Sequence, residues 1–165
     1  MKRTVFRCAA FALCFAALPM VAQTGVWTAV GSTGSIDEAS LGLYATNTTN
    51  LLHQAGALGT VVSRFNVTNT FGGGFTDTPP WTTLEMTYFD IDAATVSATL
   101  FRVNRCSNVS NVVCSVTSVD ALNPTCVSCT FPAALNFGAF NYVVEVKVTR
   151  TATNQAPQLF GLRIF

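Results

Sequence analysis

The chain has 165 residues with nine basic and eight acidic side chains, a formal charge of +1, and charged residues are only 10% of it against about 25% in ordinary soluble domains. Lys2, Arg3 and Arg7 stand ahead of the apolar run Cys8 to Leu18, so a cut after Ala22 leaves six basic against eight acidic residues in 23–165. That balance offers no basic field for nucleic acid or an anionic membrane.

The opening has the build of a secretory signal peptide: cations, then an apolar stretch closed by Pro19 and too short to cross a bilayer as a stable helix. The expected organisation is a signal peptide over 1–22 and one domain over 23–165, sent to the periplasm, the cell surface or the medium, with no membrane span in the mature chain.

Helical periodicity is nearly absent and alternation with a period of two recurs. Val26 and Trp27 mark a first strand, and Ala39 to Thr46 reads as a second after a turn-rich loop. Asn47 to Gly59 allows a short helical turn. Thr60 to Thr68 alternates Val61, Ser63, Phe65 and Val67 against a wetter face. Asn69 to Pro80 is a long loop, freed by Gly72-Gly73-Gly74 and stiffened by Pro79-Pro80.

Leu84 to Ile91 is the next strand, with Asp90 facing away from Phe89 and Ile91. In Ala94 to Arg105 the apolar positions pass from Val96, Ala98 and Leu100 to Phe101 and Val103, which predicts a bulge or a bend. Val112 to Val119 is a strand, Asn123 to Pro132 a loop. Tyr142, Val144, Val146 and Val148 give the clearest alternation, and Phe160, Leu162 and Ile164 share one face of the last strand. About eight strands in one domain predict an all-β, two-sheet antiparallel sandwich of jelly-roll type, with a closed barrel as the other solution. An outer-membrane barrel often ends in Phe, but here Phe165 is in phase with Arg163 and Gly161 rather than with Ile164 and Leu162.

Four cysteines follow the signal segment, Cys106, Cys114, Cys126 and Cys129, and in an exported chain they read as two disulfides. The expected pairing is Cys106 with Cys114 and Cys126 with Cys129; the nested pairing, Cys106 with Cys129 and Cys114 with Cys126, stays open. A redox use of Cys126-x-x-Cys129 needs a helix to begin there, and Thr130-Phe131-Pro132 does not begin one.

No catalytic constellation is found. His53 is the one histidine and lies among Leu51, Leu52 and Ala55 without a carboxylate near it in sequence, and there is no Gly-x-Ser-x-Gly elbow or phosphate loop. Asp90 and Asp92 are the calcium candidates, with a solvated strand end as their plainer reading. No cofactor is expected. The polar and aromatic loop Phe71 to Trp81 is the ligand-binding candidate: Phe71, Phe75 and Trp81 offer rings, Asp77 and a nearby Tyr44 offer hydrogen bonds, and sugars present C–H faces and hydroxyls to such a mixture. The alternative is that the rings fold back to cap the sandwich. The expected function is therefore a non-catalytic surface or extracellular module with a carbohydrate or protein partner. Assembly into a surface polymer is its structural competitor.

Overall fold

The computed structural model describes residues 25–71 and 76–165. The expected signal segment and Phe75 lie outside them. Eleven strands are present among the described residues: β1 (Trp27–Val30), β2 (Ser35–Ile36), β3 (Tyr44–Thr46), β4 (Leu51–His53), β5 (Gly59–Val67), β6 (Thr83–Asp90), β7 (Thr95–Asn104), β8 (Ser110–Thr117), β9 (Ala121–Thr130), β10 (Phe140–Arg150) and β11 (Gln158–Ile164).

Sheet A has the order β3-β4-β11-β6-β9, with β1 also on β11; sheet B has the order β2-β5-β10-β7-β8. The last eight strands pair as nested partners, β4 with β11, β5 with β10, β6 with β9 and β7 with β8, all antiparallel. This is a rolled-up long hairpin, the jelly-roll arrangement, and it resolves the choice between sandwich and barrel in favour of two packed sheets.

Period-two patterning places the core. Leu84, Met86 and Tyr88 of β6, Val96, Ala98 and Leu100 of β7, and Val144, Val146 and Val148 of β10 are all fully buried between the sheets. Each such side chain contributes about 1.5–3 kcal/mol, Ala less, when taken from water. Gly31, where the chain turns away from β1, is required by close approach: a Cβ there would lie 2.1 Å from the Leu159 carbonyl oxygen.

Several expected elements are corrected. Only Tyr44–Thr46 of the strand expected over 39–46 is extended; Glu38–Ser40 is a tight helical turn, because the Asp37 carboxylate accepts the Ala39 N–H and caps it. No helical turn forms over 47–59, where the Asn47 side chain accepts from the N–H groups of Thr49 and Asn50 and launches β4. The loop expected over 123–132 is mostly strand β9, which tolerates Pro124 because it is an edge strand and its irregular register around Phe89 needs no N–H there. In β11 the register breaks between Leu159 and Gly161, so Leu159 rather than Phe160 joins Leu162 and Ile164 in the core.

The cysteine pairing is also corrected. Cys114 bonds to Cys129 with Cα atoms 6.1 Å apart, while Cys106 and Cys126 are free and exposed. Cys114 stands opposite buried Leu100, and Cys129 opposite buried Leu84, so both point inward from the edge strands of the two sheets. An extended β9 sends Cys126 and Cys129 to opposite faces, which forbids their bridge. Cys106 sits in the β7–β8 turn, where its N–H is held by the Asn104 side chain. The bridge therefore ties sheet to sheet and closes one side of the sandwich.

Candidate ligand-binding surface

The outer face of sheet B carries side chains in cross-strand rows. One row runs Asn66, Val143, Phe101, Val112 across β5, β10, β7 and β8. The next, toward the end of the sandwich that holds His53, runs Arg64, Glu145, Thr99, Ser115. On the other side stand Asn141, Val103 and Ser110. Phe101, Val103 and Val143 are half-buried, and Val112 is 60% exposed. A shallow groove of about 250 Å³ lies among Arg64, Phe101, Val103, Ser110, Val143 and Glu145.

β7 does not change phase to produce this. It keeps its alternation, so Phe101 and Val103 are simply outward-facing, and the irregularity falls on β8: Leu100 stands opposite Cys114 and Phe101 opposite Val112, with Val113 as the extra residue. The bulge sets Val112 beside Phe101.

Arg64, Lys147, Asp37 and Glu145 on this face are paired, and Arg105 at its edge donates instead to the Asn141 side chain and the Phe137 and Gly138 carbonyls. Arg64 Nη1 lies 2.7 Å from Asp37 Oδ2 and Nη2 lies 3.0 Å from Glu145 Oε2, while Lys147 Nζ is 3.4 Å from Glu145 Oε1. The Arg64 guanidinium, by its hydrogen bond, and then the Ala39 N–H hold the Asp37 carboxyl below the usual carboxylate range. Such exposed pairs add about 0–1 kcal/mol each to stability; their consequence here is that these four charges cancel one another. In the same row the Thr99 and Ser115 hydroxyl oxygens are 2.9 Å apart. An apolar stripe thus runs beside a hydroxyl and ion-pair stripe.

The loop expected to bind ligand is arranged otherwise. Trp81 is only 2% exposed, its Nε1–H donates to the Gly25 carbonyl at 2.8 Å, and its ring meets Phe137 edge-on at 6.1 Å. With so little of it exposed the ring caps the sandwich rather than offering a stacking face for sugar, which corrects the role given to it. It reaches the surface only at the floor of a small concavity of about 150 Å³ shared with Phe71, Pro80 and Phe165. Asp77 is stitched to the facing loop through its carbonyl, which accepts the Phe137 N–H at 2.7 Å, and half-buried Phe71 packs against the core. Tyr44 is not near them. It stands opposite His53 on β3, at the β11 end that begins with Gln158, whereas Trp81 precedes the strand that meets Ile164. About 20 Å of strand separates the two ends.

Nor do Asp90 and Asp92 share a wet strand end. Asp92 lies in a turn with φ +60°, and among the described residues no three His, Cys, Asp or Glu gather to hold a metal ion. Asp90 is 1% exposed, with one carboxylate oxygen accepting from Ser118 Oγ and Oδ1 without a partner. Burial pushes its pKa up, the Ser118 hydrogen bond opposes this, and the Asp120 charge adds to it.

A carboxyl raised in the folded state stabilises the fold while protonated, and that contribution is lost as pH rises from about 3.9 through the raised value. Asp90→Asn keeps an acceptor for Ser118 and removes the charge. The variant should melt at or above the wild type at pH 7 and lose that advantage by pH 3; a large loss at pH 7 in thermal melts would refute the assignment.

A larger concavity, about 600 Å³, opens on the side away from the disulfide, between β1 and β5, and is lined by Trp27, Thr28, Ser35, Arg64, Phe65 and Asn66. Its two rings, Trp27 and Phe65, are 5% and 4% exposed, so it lacks the free aromatic face that the sheet B groove has.

No family model matches the chain, and neither does any curated protein sequence. Among solved structures, the isomalto-dextranase of Arthrobacter globiformis T6 complexed with panose is similar over 87% of this chain at 12% identity, with a TM-score of 0.51. The CBM22-1-GH10 modules of Clostridium thermocellum endo-1,4-β-D-xylanase 10B, complexed with xylohexaose, are similar over 88% at 12% identity and a TM-score of 0.46. The chain spans 24% and 26% of those proteins, respectively. At 12% identity the likeness to the isomalto-dextranase shows a shared fold and nothing of the chemistry.

Proposed function

We propose that this is an exported, non-catalytic binding module that takes carbohydrate on the outer face of sheet B. The observation that carries the reading is Phe101: a ring on a rigid strand, flanked by Val143, Val103 and Val112 and bordered by hydroxyls, amides and paired charges. Sugars combine apolar C–H faces with hydroxyl edges, and a ring beside hydrogen-bonding groups answers both. The similarity of the sandwich to that of a panose-complexed dextranase is in keeping with this reading. Export rests on the basic, then apolar opening, and the mass of the exported protein should correspond to a chain starting near Gln23.

Edge-to-edge polymerisation through β8 or β9 is opposed by how those two strands are built. β8 is bulged at Val113 and β9 carries Pro124, both of which interrupt strand addition.

A glycan-array screen followed by titration tests the reading. Wild type should bind at least one oligosaccharide, and Phe101→Ala, with an unchanged melting curve, should lose about tenfold or more in affinity. Equal binding by the folded variant would sink the assignment.

A further inference from the structure

We infer that the ligand is an uncharged, linear oligosaccharide lying across the strands of sheet B, along the row from Asn66 to Val112. The inference rests on the carbohydrate reading above and adds direction, length and charge.

Direction follows from the rows. Of the residues that could touch a C–H face, Val143, Phe101 and Val112 are neighbours across three strands, and Val103 alone continues Phe101 along β7. Along each strand the outward positions change character instead: on β10 they run Asn141, Val143, Glu145, Lys147. A ligand aligned with β10 would leave the apolar positions after one contact and meet ions, and one aligned with β7 would have only Phe101 and Val103 before the hydroxyls of Thr99 and Ser97. A ligand aligned across the strands keeps its apolar side on the stripe and its hydroxyls against Thr99, Ser115 and Glu145 on one flank and Ser110 and Asn141 on the other.

Length follows from strand spacing. Four strands about 4.8 Å apart make the row about 14 Å from Asn66 to Val112, longer than one sugar ring. Both ends of the row are open, since Asn66 and Val112 are exposed.

Charge follows from the ion pairs. The ion pairs on the face join two cations, Arg64 and Lys147, to two anions, Asp37 and Glu145, each within 4 Å of an opposite partner. A further cation at the flank, Arg105, is held by the Asn141 side chain and the Phe137 and Gly138 carbonyls. Recruiting Arg64 to a uronate would take the guanidinium from Asp37 and Glu145, leaving Asp37 without a cation and Glu145 with Lys147 alone. An uncharged chain asks for no such exchange. The Cys114–Cys129 bridge adjoins the row and pins β8, which holds Val112 in place before ligand arrives.

The test is calorimetric titration with neutral gluco- and xylo-oligosaccharides of one to six units and with oligogalacturonates, using wild type, Phe101→Ala and Val112→Lys. Affinity should rise by about tenfold or more from one unit to the longer neutral oligomers. Galacturonates should bind more weakly than neutral chains of the same length. Val112→Lys should flatten the length dependence while keeping the affinity for short oligomers, whereas Phe101→Ala should weaken all of them. Binding that depends on Phe101 but is as tight for a monosaccharide as for a hexamer, or tighter for galacturonate, would overturn this inference and leave the carbohydrate reading standing. No binding of any sugar by wild type would overturn both.

Discussion

Replacing Cys114 and Cys129 together by serine should lower stability by about 3 kcal/mol and the melting midpoint by on the order of 10 °C. The bridge closes a loop of 15 residues and joins two edge strands with little else between them: β8 and β9 belong to different sheets and meet only at the sandwich margin. Removing it frees the unfolded chain and also unpins the side of the fold that carries Val112. Serine at Cys106 or Cys126, both exposed, should leave the midpoint unchanged. Reductant should lower the wild-type midpoint and not that of the double variant. A Cys106→Ser variant as unstable as the double variant would show that the pairing differs from the one described.

Trp81→Ala should cost about 3–5 kcal/mol, the range for emptying a large aromatic from a core. The ring is covered by Phe137 and leaves an orphaned Gly25 carbonyl when it is removed. Trp81→Phe retains the apolar packing and loses only the hydrogen bond and part of the volume, so it should remain folded with a smaller loss. Denaturant titration of the two variants separates these outcomes. A Trp81→Ala protein as stable as wild type would mean that the ring is not a cap and would return it to the list of candidate ligand contacts.

How much of this was legible beforehand depended on whether the signal was local. The alternation of Tyr142, Val144, Val146 and Val148, and of Val96, Ala98 and Leu100, specified the two central strands of sheet B, because a period of two is a property of each strand by itself. β9 was missed since it buries little: Leu122, Asn123 and Pro124 face solvent or a bulge, and an edge strand needs no unbroken apolar alternation. The cysteine pairing could not be read from spacing, because it joins two sheets whose packing is a long-range fact. Asp90 reads as a wet position from its charge, yet its outward or inward sense is set by Leu84, Met86 and Tyr88 on the same strand, with which it shares phase.

The candidate site shows the same division. A Gly- and Pro-rich loop with aromatics looks exposed, but its Trp81 finds cover from Phe137, 56 positions further on. Phe101 looks in sequence like a slip in the strand, but it is the strand's own outward face. The usable signal was already present: apolar residues at the positions that alternate against a filled core phase, at Phe101, Val103 and Val143 together.

The central claim, that ligand meets sheet B and not the Phe71 to Trp81 loop, is tested most directly by titrating one neutral oligosaccharide into two folded variants, Phe101→Ala and Trp81→Phe. The account predicts that Phe101→Ala loses about tenfold or more in affinity and Trp81→Phe binds as wild type does. Loss of binding in Trp81→Phe with full binding in Phe101→Ala would contradict it.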